Sequence, residues 1–149
     1  MKQVRYSLRV ADLSTRADID QLLRHFYARA MSDQLIGYLF TEIAHLDLEA
    51  HLPQIGNFWE QVLLQHPVYV GQPIAVHMPL HAAATLQSAH FQRWFSIWAS
   101  SVDQLFVGEM ATQAKRRAAI IAETMQHRLG VTSVEAGFSD AYREALQMR

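Results

Sequence analysis

Eight histidines stand in a chain of 149 residues that contains no cysteine: His25, His45, His51, His66, His77, His81, His90 and His127. Imidazole is the side chain here best suited to iron, copper or zinc, and the one whose charge changes near neutral pH. Without thiols the chain has no disulfide framework, thiolate-held zinc, iron–sulfur cluster or thioether-linked c-type heme. A metal would have to be held by His or carboxylate. Position sorts the candidates. His51 shares a helical face with Ile55, Phe58 and Val62, so it faces an apolar interior. Tyr27 belongs to another apolar stripe, where its hydroxyl would be buried and in need of a partner. Trp94 brings an indole N–H to a third. Each alone reads as a core residue whose polar end meets a backbone carbonyl. Three inward donors from three different helices are harder to set aside.

His77 and His81 stand four apart, as on one helical face, and His51 or His90 would supply a third ligand for a zinc hydrolase. Against this, HEXXH is absent, Pro79 argues against a regular helix between the two, and no Glu or Asp is near to act as general base. A Ser/His/Asp hydrolase has less support still, because no strand, nucleophile elbow or Gly-rich loop is visible. A helical interaction module without cofactor, carrying surplus histidines, is the third reading.

The elements that must position these residues follow from apolar spacing. After Ser14 and Thr15, plausible N-caps, Ile19, Leu22, Leu23, Phe26, Tyr27 and Ala30 predict a helix. A second covers about 47–64, with Leu48, Leu52, Ile55, Phe58, Trp59, Val62 and Leu63 on a broad face. Pro53 is expected near its beginning, where a missing donor costs least. A third covers about 88–106 through Phe91, Trp94, Phe95, Trp98, Val102 and Leu105. Gly108 interrupts, and a fourth runs over about 109–128, with Met110, Ala114, Ala118, Ile121 and Met125 on one side and Gly130 as stop. No period-2 alternation lasts, so the fold class is all-α. The expected organisation is an N-terminal extension over 1–14, one domain over 15–130, and a C-terminal extension over 131–149 with a short helix at about 139–147.

From Gln61 onward the first charged Lys, Arg, Asp or Glu is Arg93. Connecting segments normally cross the surface and carry charge, so this neutral stretch rich in Pro, Gly and His implies a cover, such as a large apolar ligand. The net charge of −1 gives no field for a phosphate backbone or an anionic membrane, so no nucleic acid partner is expected. No apolar run is long enough for membrane insertion and the N-terminus does not read as a secretory signal, which makes the cytoplasm the expected location.

Five strings then match something known: HFYARA around Tyr27, YLF ending at Phe40, HLPQIGNFWEQVLL from His51, YVGQPIAVH over 69–77, and HFQRWFSIW from His90. Over about 19–128 the chain resembles the third group of truncated hemoglobins, bacterial two-on-two globins, and it lacks the glycine pairs of the first two groups. The resemblance implies a shortened globin fold, two pairs of helices sandwiching a non-covalent heme b, with the helix before the proximal histidine reduced to a turn. Carried over, His77 is the iron ligand, Tyr27, His51 and Trp94 are the distal residues beside bound gas, and Phe40 wedges the porphyrin. Phe26, Ile55 and Phe58 line the pocket, and His81 and His90 are the rivals of His77. The implied function is reversible binding of diatomic gases (O2, CO, NO) at a five-coordinate iron, with tight oxygen binding and slow release. Peroxidase-like or nitric oxide dioxygenase-like turnover would draw on an external reductase. The expected state is a monomer or weak homodimer.

Overall fold

The computed structural model describes residues 10–131, the side chains of 74–76 excepted. Helix α1 (Arg16–Ala30) begins where the Thr15 hydroxyl accepts from the Asp18 N–H and the Asp18 carboxylate accepts from the Thr15 N–H, a reciprocal cap. Its apolar stripe, Ile19, Leu22, Leu23, Phe26, Tyr27 and Ala30, is buried as the spacing predicts. Helix α2 (Leu48–Leu64) is capped by the Asp47 carboxylate and stops at Gln65, which is left-handed at φ 63°. Helix α4 (Ser88–Leu105) and helix α5 (Glu109–Leu129) follow the sequence reading closely, and Gly130, at φ 74°, ends α5. Between α2 and α4 lies α3 (Pro73–Ala84), and a single π-helical turn, Leu39–Ile43, joins α1 to α2.

The fold is all-helical, with no strand among the described residues. Helix α1 packs on α2 and α4, and α4 packs on α5, which gives two helix pairs with Phe26, Phe95, Trp98 and Val102 at their junction. Each large apolar side chain buried there contributes roughly 1.5–3 kcal/mol relative to exposure. The sequence-matched expectation of a two-on-two sandwich holds. Among the described residues no helix is long and apolar enough to cross a membrane.

Two local expectations need correction. Pro53 lies in the second turn of α2 rather than the first, where it removes a bond to the Glu49 carbonyl; the ring is exposed, and its own carbonyl accepts from Arg16. Pro79 does not break the His77–His81 segment: α3 runs through it, started by Pro73 at the first helical position, where a proline ring is preorganised. One turn of α3 precedes His77, and residues 65–72 ahead of it are without helix. The short helix expected over 139–147 lies outside the described residues.

Residues just ahead of the first helix are built into the fold. Leu13 is fully buried, and the Asp12 carboxylate accepts from the Met110 and Ala111 N–H groups at 2.9 Å each, capping α5 from 98 residues away. Burial pushes the Asp12 carboxyl up, but the backbone N–H groups of Met110, Ala111 and Leu13 outweigh this and hold it below the ordinary range. Gly108 is required there: its φ of 146° is strained for any L side chain, and a Cβ would run into the Asp12 carboxylate.

Candidate functional site

Helices α1, α2 and α4, the π turn and α3 enclose an apolar cavity of about 360 Å³, within the range of about 300–1,000 Å³ typical of small-molecule sites. All eight residues singled out in the sequence line it: Phe26, Tyr27, Phe40, His51, Ile55, Phe58, His77 and Trp94. Sequence reasoning did not single out Gln54, Tyr69, Trp59, Trp98 or Leu86, which line it as well. The signal that could have found Trp59 and Trp98 was present, since both sit on the apolar faces of predicted helices.

On one wall the Tyr27 hydroxyl lies 3.2 Å from His51 Nε2. Both rings are reached edge-on, with Phe40 at 5.8 Å and His51 at 5.7 Å from the Tyr27 ring centre. Burial pushes the Tyr27 phenol well above its ordinary value, so it keeps its proton. Burial, followed by the nearby His77, lowers His51, so its neutral form prevails at neutral pH. If His51 Nε2 carries its proton and donates to the phenol oxygen, the Tyr27 O–H is free to donate into the cavity. Trp94 is half-buried and stacks parallel to Trp98, with ring centres 6.2 Å apart.

Helix α3 brings His77 to the cavity. Its Nδ1 lies 2.7 Å from the Pro73 carbonyl oxygen. A carbonyl only accepts, so Nδ1 carries the proton and Nε2 of the neutral ring keeps a free lone pair. The two rivals have the opposite tautomer. His81 Nδ1 accepts from the Leu86 N–H at 3.0 Å and His90 Nδ1 accepts from the Gln87 N–H at 2.8 Å, so in their neutral forms Nε2 bears the proton. His90 does line the cavity, whereas His81 does not. Among the described residues no group of three or more His, Asp or Glu side chains comes together in a way that could hold a metal ion. The zinc hydrolase arrangement of His77, His81 and a third ligand is therefore not assembled.

The segment over 65–72 closes the cavity rim through side chains of α2. Gln54 Nε2 donates to the Val70 carbonyl, the Tyr69 N–H donates to Gln61 Oε1 at 3.1 Å, and His66 Nδ1 meets Glu60 Oε2 at 2.9 Å. Arg16 and His66 together hold the Glu60 carboxyl below its ordinary range. Gly56 matters to this frame, because a Cβ there would collide with the Arg16 guanidinium that reaches Glu60 at 2.8 Å.

An apolar, aromatic-walled cavity with one imidazole lone pair on one side and hydrogen-bonding side chains on the other fits a heme held by a single histidine. No family model matches the chain. It is 31% identical over 114 residues to a group 3 truncated hemoglobin of Campylobacter jejuni, a match that covers 74% of this chain and 87% of that protein. The crystal structure of the group III truncated hemoglobin from Campylobacter jejuni superposes with a TM-score of 0.69 at 27% identity, covering 85% of this chain and 96% of the other.

Proposed function

The chain belongs to the third group of truncated hemoglobins and is a globin heme protein, and on that premise we propose that it binds heme b non-covalently through His77 Nε2 and takes up dioxygen and related diatomic gases on the opposite face. The observation that carries the reading is the 2.7 Å hydrogen bond from His77 Nδ1 to the Pro73 carbonyl, which turns a lone pair outward from the one histidine of α3 that lines the cavity. With no cysteine in the 149 residues, thioether attachment has no anchor.

The bound heme supplies an iron with one open coordination position and the redox chemistry that goes with it. The chain's own residues do the rest. His77 would hold the iron, and its hydrogen bond to the Pro73 carbonyl fixes ring orientation and strengthens the imidazole as a ligand. Phe40, Phe26, Ile55 and Phe58 exclude water from the macrocycle faces. Tyr27 and His51 share a proton-bearing contact, so one of them can donate to a polar diatomic ligand while the other holds the donor in place. A hydrogen bond to a group that gathers negative charge contributes about 1.5–3 kcal/mol, and about 1.4 kcal/mol is tenfold in affinity. Dioxygen, which gathers charge, is thus held tightly and released slowly, while carbon monoxide gains little.

The same donors polarise a peroxide O–O bond or assist nitric oxide oxidation, with electrons from an external reductase. The test is the absorption spectrum of ferric, dithionite-reduced and carbonmonoxy protein, with His77→Gly beside the wild type. The reading expects a five-coordinate reduced spectrum that is lost in the variant and restored by added imidazole. A wild type that takes up no stoichiometric heme would overturn it.

A further inference from the structure

A second pocket, of about 390 Å³, opens between the end of α1 and the first half of α4, lined by Arg29, Ser32, Asp33, Gln34, Arg93 and Ile97. It shares no residue with the apolar cavity. Two guanidinium groups meet there, and the fold uses only part of each. Arg29 Nη1 donates to Ser100 Oγ and Ser101 Oγ at 2.8 Å each and to the Ile97 carbonyl at 3.3 Å, all on α4. Its Nε and Nη2 meet no acceptor among the described residues, and no carboxylate there pairs with it. Arg93 spends Nε and Nη2 on the Asp33 Oδ1 atom, at 2.8 and 2.7 Å, and keeps Nη1.

Asp33 does not cancel the pair. Its Oδ1 takes both Arg93 donors, its Oδ2 accepts from the Leu35 and Ile36 N–H groups at 2.9 and 3.1 Å, and the side chain is only 5% exposed. Each carboxylate oxygen thus already holds two donors, as many as its lone pairs take. Burial pushes the Asp33 carboxyl up, but Arg93 and the two backbone N–H groups outweigh this and hold it below the ordinary range, so it stays ionised and keeps Arg93 in place. The lining carries two positive charges against one negative.

We propose that this pocket is a binding site for a small phosphate-type oxyanion, held by the Nε–Nη2 edge of Arg29 and by Nη1 of Arg93. A guanidinium offers its donors in a fixed, planar fork that matches phosphate oxygens, and hydrogen bonds between charged partners are roughly twice as strong as neutral ones. A carboxylate is already matched by one such fork, whereas a tetrahedral ion has further oxygens for the second guanidinium. The bound ion bridges α1 and α4, the helices that carry Tyr27 and Trp94, without entering the apolar cavity. Heme plays no part in the recognition, so the site and the heme reading stand or fall separately.

The full chain, labelled with nitrogen-15, is titrated with inorganic phosphate in phosphate-free buffer, with sodium chloride at matched ionic strength and sodium acetate as parallel arms. Side-chain Nε–H and backbone N–H signals are followed by nuclear magnetic resonance. The expected result is a saturating shift of the Arg29 and Arg93 Nε–H signals with phosphate and none with chloride. Arg29→Lys keeps the charge and a donor for Ser100 and Ser101 but loses the fork, and should raise the phosphate dissociation constant about tenfold or more. The wild-type titration decides without any variant: shifts that never saturate, that spread equally over Arg24, Arg117 and Arg128, or that chloride reproduces are general screening and overturn the site. Acetate that saturates the same signals as tightly as phosphate overturns the assignment to a tetrahedral ion, and an unchanged affinity in folded Arg29→Lys overturns the role of the fork.

Discussion

On the side of Tyr27, His51 and Trp94 the cavity wall is continuous with the hydrophobic core, whereas the helix that carries His77 packs on it only through partly buried side chains such as Leu80 and Ala84. Phe26, Leu23 and Trp98 behind the first wall are at most 1% exposed, and each belongs to a helix whose apolar stripe packs on two others. Helix α3 buries none of its described side chains, Met78 is 58% exposed, and in the segment ahead Val70 is 83% exposed. That segment is tied down by Gln54, Gln61 and Glu60 of α2. The first wall is thus formed by folding itself, and the second has much of its packing still to gain from a ligand.

Heme removal is the sharpest way to break this comparison. A ligand at a thousand times its dissociation constant stabilises the native state by about 4 kcal/mol. Removal should therefore lower overall stability by an amount of that order. Local opening should concentrate where contacts are fewest. Hydrogen exchange on heme-free protein is expected to show protection lost over 65–84 and kept over α4 and α5. Equal loss in α1 and α4 would mean that the distal wall is not independently folded.

The same contrast governs what was legible in the sequence. The stripes of α1, α2, α4 and α5 give their boundaries to within a residue or two because each buries one face at a period of 3.6. Helix α3 has no such stripe: PIAVHMPLHAAA is apolar or neutral all round, and Pro79 inside it signals a break that the fold does not make. The π turn at Leu39–Ile43 carries no local signature. Asp12 escaped for a different reason, since a cap contributed across 98 residues has no sequence spacing to be read from. The residues that line the cavity were legible through the resemblance strings and the inward donors. What sequence could not supply was the tautomer that separates His77 from His81 and His90, which depends on which backbone group each Nδ1 meets.

Substitution of Tyr27 by Phe tests the preorganised wall directly. Losing a donor to a charge-gathering ligand costs about 1.5–3 kcal/mol, which is about one to two decades in rate at 1.4 kcal/mol per decade. Stopped-flow oxygen release is expected to accelerate by that factor, with carbon monoxide release nearly unchanged. Equal acceleration of both gases would assign Tyr27 to packing. Trp94→Phe supplies the parallel measurement on the same wall, and an unchanged oxygen release rate there would remove its N–H from ligand stabilisation.

Asp12 offers a smaller effect confined to the core side. Removing a side-chain cap costs about 0.5–2 kcal/mol, so Asp12→Ala should lower the denaturant midpoint while leaving the reduced heme spectrum as in the wild type. The pH dependence has a definite sign. The folded-state pKa of Asp12 is below the ordinary 3.8, so the ionised cap stabilises the fold fully above the unfolded value, about 3.9, and that contribution disappears as pH falls through the lower folded value. The wild type should lose stability faster than Asp12→Ala on acidification below about pH 4, and the gap between them should close. A gap that persists to the acid limit would mean that the carboxylate acts through packing instead of charge.

Met78 lies at the other extreme. It sits one residue after His77 and is 58% exposed, so its replacement by Gln removes no buried contact and leaves α3 with a comparable helix former. Substitutions of this kind usually fall within about ±0.5 kcal/mol. Met78→Gln should leave both the denaturant midpoint and heme affinity within that margin, although its backbone neighbour is the proposed iron ligand. A large loss of heme affinity would show that the exposed face of α3 is covered when heme is bound, which would make the lightly packed wall part of a larger closed structure and erase the contrast between the two sides. A small effect keeps it: the anchor works through one imidazole and its bond to Pro73, and the residues around it are free to vary as long as that bond is made.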